Sequence, residues 1–256
     1  MIIIKNKDSI QKMETAGNLL SQMFDKVSHI LVPGISTLEV DSWIESELRK
    51  NNLIPMAKGY MGFKHASCIS INDEVVHGVP SKNKILSQGD LVKIDVCASW
   101  QDYCADMARC FFVGNVSDEV KKLVDVTQKA LDKGISKAYP NNKLSDISAA
   151  IQQEIESHGF GIVRDFAGHG IGKKMHEDPE ILNYGKPGLG PILKSGMTFA
   201  IEPMITFGNH SVFIDKDGWT VKTKDKSMAA HIEDTIIITD NGPIILTRGN
   251  GNERVI

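Results

Sequence analysis

Residues 91–114 read LVKIDVCASWQDYCADMARCFFVG. Leu91, Val92, Ile94 and Val96 before the polar centre, and Cys110, Phe111, Phe112 and Val113 after it, have the composition of two paired strands. A hairpin turning at Trp100-Gln101 sets Asp95 directly opposite Asp106. Opposed residues have Cβ atoms roughly 4.5–5.5 Å apart, and like charges there repel. A fold retains such a pair when a shared proton or a multivalent cation neutralises it. Two solvated strand carboxylates in a slipped register would give the same string, so the hairpin alone leaves both readings open.

A second acidic pair follows the same logic. Glu202 lies in GMTFAIEPMI and Glu233 in MAAHIEDTIIIT, both apolar and strand-like. An antiparallel pairing that opposes them is centred on Asp217-Gly218, a favoured two-residue turn inside FIDKDGWTV. Two acidic pairs in four strands point towards a metal site.

The two pairs are tied together by an internal repeat at an offset of 107 residues. Pro33 maps to Pro140, each ahead of a helical pattern, and Val40, Ile44 and Leu48 map to Ile147, Ile151 and Ile155. Gly78 and Pro80 map to Gly185 and Pro187, Gly89 to Gly196, and Ile94-Asp95 to Ile201-Glu202. The segment around GHGIG has no counterpart. This is the pattern of a duplicated helix-helix-strand unit whose halves both supply acids to one centre. Length and 41% hydrophobic content allow one sizeable core, in a single domain or in two fused halves.

Helical spacing predicts a first helix over 7–31, capped by Asp8 or Ser9, with Ile10, Met13, Ala16, Leu19, Leu20, Met23 and Val27 on one stripe. A second runs from Ser36 or Thr37 to about Lys50, a third from the cap Ser117 to about Ala138, and a fourth from Leu144 to Ser157. Ser67 to Ile71 reads as a strand. Among 256 residues, 29 are basic and 32 acidic, well mixed, which leaves no electrostatic footprint for nucleic acid. The N-terminus lacks the apolar region of a signal peptide and no run approaches a membrane span, so the cytoplasm is the expected location. No exposed apolar helix calls for obligate assembly, so a monomer is expected. The four cysteines, Cys68, Cys97, Cys104 and Cys110, have no CxxC spacing and read as reduced thiols. In the hairpin register above, Cys97 and Cys104 also face each other, beside the two aspartates, where they would make the site sensitive to oxidation.

Eight histidines complete the picture. His29 and His158 read as surface or cap residues, and His65 and His210 sit in polar loops and read as structural residues. His169 and His176 lie in GHGIGKKMH, where glycine lets the backbone fold closely around a ligand, and His77 in VVHGVP also precedes a glycine. His231 precedes Glu233 by two residues, either beside the acids or as a packed strand residue. Four carboxylates with an imidazole suit manganese, iron, cobalt or zinc better than calcium or magnesium. Bridging carboxylates of this kind typically hold two cations roughly 3.5–4 Å apart.

The order His77, Asp95, Asp106, His169, His176, Glu202, Glu233 resembles that of the type I methionine aminopeptidases. The resemblance covers nearly the whole chain: AGNLL, PGISTLEVD, GYMGF, SCISINDEVVHGVP, GDLVKIDV, GHGIGKKMHEDPEILNYG, GMTFAIEPMI and DGWTVKTKDKSMAAHIEDT. It implies the pita-bread fold, a mixed α/β (α+β) single catalytic domain over 1–256 with pseudo-symmetric halves of about 1–115 and 116–256 around a central antiparallel sheet. It also implies removal of the initiator methionine from nascent polypeptides with a small second residue. It implies two divalent ions on Asp95, Asp106, His169, Glu202 and Glu233, with Asp106 and Glu233 bridging. A metal-activated water would attack the first peptide carbonyl, with Glu202 as general base and His77 and His176 assisting. Tyr60, Phe63, Cys68, Met175 and Trp219 would line the methionine pocket. Ribosome association is expected of the family and leaves no recognisable mark in this chain.

The chain departs from the family pattern in places. His231 and Asp234 stand where the family usually has glutamine and histidine, and IEDT is closer to the proline-directed aminopeptidase P and prolidase. Val76 replaces a frequent cysteine, and Cys97, Met107 and Ala108 replace smaller or hydroxylated residues. The rivals are a proline-directed peptidase, which usually carries an extra N-terminal domain, and a non-enzymatic binding protein, which typically lacks some of these ligands. The family acts when the second residue is small, whereas this chain begins Met1-Ile2, with a β-branched second residue. The protein is therefore expected to keep its own Met1; an intact mass that starts at Ile2 would contradict this.

Overall fold

In the computed structural model, which describes residues 1–249, the side chain of Asn6 accepts the Ser9 backbone N–H at 2.9 Å and starts α1 (Lys7–Val27). The cap therefore precedes both expected candidates, and a 3₁₀ turn over Ser28–Ile30 completes the span predicted as one helix. α2 (Thr37–Lys50) opens on a capping box: Ser36 Oγ accepts the Glu39 N–H at 3.2 Å while the Glu39 carboxylate accepts the Ser36 N–H at 2.9 Å. α3 (Asp118–Ile135) is capped by Ser117, and α4 (Leu144–Ser157) opens with the Lys143 N–H donating to the Asp146 carboxylate at 2.8 Å.

The strands in chain order are β1 (Ile54–Pro55), β2 (Cys68–Ile71), β3 (Leu91–Trp100), β4 (Tyr103–Phe112) and β5 (Gly161–Ile162). They continue with β6 (Gly168–Gly170), β7 (Glu177–Ile181), β8 (Thr198–Ile201), β9 (Met204–Thr206) and β10 (Val212–Ile214). The last are β11 (Val221–Thr223), β12 (Ala229–His231), β13 (Glu233–Thr239) and β14 (Gly242–Ile245). The principal sheet runs β1-β3-β4-β13-β8-β6-β7, with β2 beside β3 and β14 beside β13. β12, β9 and β5 form a smaller sheet, and β10-β11 a ribbon.

Alternation along the strands divides core from site. Val92, Ile94, Val96 and Ala98 pack with Leu20, Phe24, Ile44 and Leu48 of α1 and α2. Phe199, Ile201, Ile236 and Ile238 pack with Leu123, Leu131, Ile147 and Ile151 of α3 and α4. The intervening residues, among them Asp95, Cys97, Asp106 and Glu233, therefore project from the other face of the sheet.

The repeat is written into the backbone. The Gly34 N–H donates to Leu86 O and the Leu86 N–H to Ile35 O; 107 positions later, Asn141 donates to Leu193 O and Leu193 to Asn142 O. Gly34 and Asn141 share a left-handed backbone, with φ of 96° and 73°. Gly89 and Gly196 match in the same way, with φ of 92° and 87°. The bridges Ser36–Ile85 and Lys143–Ile192 keep the same offset at both ends.

Register confirms one acidic pair and corrects the other. From β8/β13 through β9/β12 to β10/β11, every partner follows the register that opposes Glu202 to Glu233, including Asp234 with Ile201, His231 with Met204 and Ile214 with Val221. In the first hairpin Trp100 pairs with Tyr103, one residue later than expected. The loop residues are Gln101 and Asp102, both left-handed at φ 48° and 66°, as a two-residue primed turn requires. Asp95 therefore faces Ala108, Asp106 faces Cys97, and Cys104 faces Ser99. The two aspartates are diagonal neighbours on one face, and so are Cys97 and Cys104.

Gly17 of α1 lies against the backbone just after β14: a Cβ there would meet the Leu246 carbonyl oxygen at 2.2 Å, a backbone atom that cannot swing away. Gly17→Ala is expected to destabilise the fold by about 1–3 kcal/mol, as overpacking does. A urea midpoint unchanged from the parent would contradict this packing.

Candidate metal centre

Four hydrogen bonds between side chains and the backbone fix the acids before any ligand is considered. Thr235 Oγ1 accepts the Asp106 N–H at 2.8 Å and donates to the Asp106 carbonyl at 2.8 Å. Asn183 Nδ2 donates to the Glu202 carbonyl at 3.0 Å, and Arg109 donates to the Glu233 carbonyl at 2.5 Å. On this frame, ligand atoms of Asp106, His169 and Glu233 lie within 4.8 Å of one another, as do those of Glu202, His231 and Glu233. His169 Nδ1 lies 2.9 Å from the Gly170 carbonyl and so carries the proton. Its Nε2 lone pair then faces Glu202 Oε1 at 3.6 Å and Asp106 Oδ2 at 4.0 Å. That is how a metal-ligating imidazole is held.

Electrostatics call for cations at this place. Burial, then the charge of Asp106, holds Asp95 well above the usual carboxylate range. Burial and Glu202 lift Asp106 to about 7, and burial lifts Glu202 to about 8. Glu233 is raised well above its ordinary value by burial, then by Asp106, Glu202 and Asp95. One of its oxygens, Oε1, is buried without a hydrogen-bond partner. Four crowded carboxylates and an oriented imidazole fit divalent cations; the same groups left to themselves must keep protons instead.

All twelve residues singled out from the sequence line one cavity of about 1030 Å³. His77 takes a left-handed backbone, φ 57°, which is strained for a non-glycine residue. Gly78 makes that possible: its N–H donates to Ser70 Oγ at 3.0 Å, and a Cβ there would meet the Ile69 carbonyl oxygen at 2.2 Å. The His77 ring stands edge-on to Phe166 at 5.3 Å, and burial lowers His77 to about 4. His176 stands edge-on to His169 at 4.5 Å, with its Nδ1 3.1 Å from the Tyr60 hydroxyl. Phe63 stands edge-on to Trp219 at 5.1 Å, and Cys68 pairs with Asp95 across β2 and β3.

Phe166, Met204, Val76 and Cys97 also line the cavity; the sequence carried no periodic or charged signal that would have marked Phe166 or Met204. Burial raises the Cys97 thiol well above its ordinary range and keeps it in the less reactive protonated form, which argues against an oxidation-sensitive site. Asp234 lies outside the cavity. Fully buried on the helix side, it pairs with Arg109 at 2.6 Å and Arg248 at 2.7 Å. The likeness of IEDT to the proline-directed enzymes therefore concerns packing behind the sheet. His65 pairs with Asp41 at 3.0 Å, in keeping with its reading as a structural residue.

Metal-free protein has a defined pH dependence. Asp106 and Glu202 keep their protons to about 7 and 8 when folded, whereas unfolded carboxyls release theirs near about pH 4. The native state then holds more protons, so its stability falls as pH rises through those values. Between pH 7 and 8 the buried His77, His169 and His231, lowered to about 4 by burial, are largely neutral in both states. Chelator-treated protein is expected to unfold at lower urea concentration at pH 8 than at pH 7, and Mn²⁺ to restore more stability at pH 8. A midpoint that rises over this interval without metal would contradict the crowding.

Comparison with known proteins places these observations in a family. The profile of metallopeptidase family M24 matches residues 11–240. The methionine aminopeptidase of Clostridium acetobutylicum is 48% identical over 96% of this chain and 99% of its own. Methionine aminopeptidase 1 of Bacillus subtilis is 44% identical over 97% of this chain and 100% of its own. The crystal structure of the Thermotoga maritima methionine aminopeptidase superposes with a TM-score of 0.95, at 44% identity, covering 97% of this chain and 100% of that one. With these likenesses running nearly end to end, the chain belongs to metallopeptidase family M24, among its methionine aminopeptidases.

Proposed function

We propose that this protein hydrolyses the peptide bond after an N-terminal methionine when the second residue is small, acting on nascent polypeptides in the cytoplasm, as a monomer with one catalytic domain built from two halves. Two divalent ions would be held by Asp95, Asp106, His169, Glu202 and Glu233. What supports the reading is the meeting, in one cavity, of four crowded carboxylates with apolar and aromatic side chains.

Bound ions of this class lower the pKa of water and polarise a carbonyl near neutral pH. Glu202 takes the proton of the attacking water and delivers it to the leaving amine as the C–N bond breaks. Nδ1 of His176 lies 3.1 Å from the Tyr60 hydroxyl; in the tautomer where that hydroxyl donates, Nε2 carries the ring proton and donates to the carbonyl oxygen as negative charge develops. His77, neutral through burial and clamped by Gly78, hydrogen-bonds the scissile peptide from the other side. Tyr60, Phe63, Cys68, Met175 and Trp219 receive the thioether side chain, whose flexibility and polarisable sulfur suit an aromatic wall. An ion such as manganese, iron, cobalt or zinc fits the mixed oxygen and nitrogen donors.

Chelated protein refilled with Mn²⁺, Co²⁺, Fe²⁺ or Zn²⁺ is expected to release free methionine from Met-Ala-Ser and to leave an X-Pro dipeptide intact. Glu202→Ala is expected to lower the rate by about 10²-fold or more, the usual worth of a general base. Cleavage of the X-Pro dipeptide in preference, or no release with any ion in folded protein, would overturn the proposal.

A further inference from the structure

His231 ends β12, where its backbone pairs with Met204 of β9 and its carbonyl accepts the Cys110 thiol at 3.4 Å. Its side chain is 1% exposed, yet neither ring nitrogen has a hydrogen-bond partner. Among the described residues four buried side-chain nitrogen and oxygen atoms lack partners, and three of them are His231 Nδ1, His231 Nε2 and Glu233 Oε1. Leaving such groups unpaired is costly, so their clustering points to a ligand that engages one ring nitrogen of His231 together with Glu233.

The geometry at Nε2 says what that is. Nε2 lies 3.2 Å from Glu202 Oε2 but is not aligned to donate a hydrogen bond to it. Two donors each about 2.1 Å from one cation, at an angle near about 100°, are about 3.2 Å apart. Glu202, His231 and Glu233 also bring their ligand atoms within 4.8 Å of one another, and Glu233 is shared with the group that contains His169.

We infer that His231 is itself a metal ligand, so that the centre holds two imidazoles, His169 on one side of Glu233 and His231 on the other. This rests on the dinuclear reading above and goes beyond it, since the five-residue ligand set contains a single histidine. A side-chain amide, the usual group at this position in the resembling family, is a poor ligand for such ions beside an imidazole. The added nitrogen donor shifts preference towards iron, cobalt and zinc and away from magnesium.

Zinc K-edge X-ray absorption on protein loaded with two equivalents of Zn²⁺ counts imidazoles per ion without an activity assay. The expected value is about one per zinc in the parent, and about half that in His231→Gln and in His169→Ala alike. Titration calorimetry is expected to show at least tenfold weaker Zn²⁺ binding in one step for His231→Gln, a loss at least as large as that of an outer-shell partner. A count of one half in the parent, unchanged in His231→Gln but lost in His169→Ala, would overturn the inference while leaving the dinuclear reading intact. Failure of the parent to bind two equivalents would overturn both. The parent's own count decides the matter even where a variant folds poorly.

Discussion

Everything in this molecule is arranged around a group of carboxylates that does not belong in a protein interior. Asp95, Asp106, Glu202 and Glu233 are crowded on one face of a sheet, where burial and mutual repulsion push their proton affinities far up. Isolated in that environment each would be costly, and together they are worse. The cost is offset by cations, and the affinity of the site for cations is the same quantity seen from the other side. Stability, metal binding and chemistry are therefore one coupled problem in this fold.

The scaffold answers the repulsion with rigidity. The opposite face of the sheet is covered by four helices and two apolar clusters, so the strands that carry the acids cannot splay apart without losing that packing. Hydrogen bonds from Thr235, Asn183 and Arg109 then pin the backbone at Asp106, Glu202 and Glu233. Behind Glu233, the buried Asp234 is clamped between Arg109 and Arg248, and Arg248 also reaches Asp132 of α3. This ties the position of one proposed ligand to the helical layer. The backbone pattern repeated at an offset of 107 positions places a left-handed glycine ahead of the strands that carry Asp95 and lead to Glu202.

The chemistry-bearing residues were legible in the sequence because carboxylates and glycine-flanked histidines are conspicuous in apolar strands. The second acidic register was legible because its ladders keep one register throughout. The turn at Asp217-Gly218 is nevertheless longer than the two-residue one expected: the Asp215 N–H donates to the Thr220 carbonyl, and only Gly218 is left-handed. The first hairpin was misplaced because Gln101-Asp102 is a weak turn signal, and its left-handed backbone emerges only in the folded loop. The anchors stayed hidden for a different reason. Thr235 meets Asp106 across 129 positions and Arg109 meets the Glu233 carbonyl across 124, pairings that no local pattern encodes. His231 was ambiguous because the chain passes from the small sheet to the principal one between β12 and β13, which breaks simple alternation between His231 and Glu233.

The most direct measurement is a crystal soaked in Mn²⁺, with anomalous diffraction recorded above and below the manganese edge. The account predicts two anomalous peaks separated by about 3.5–4 Å, enclosed by Asp95, Asp106, His169, Glu202 and Glu233. No peak among these residues, or manganese held elsewhere on the protein while this cluster stays closed on shared protons, would contradict it.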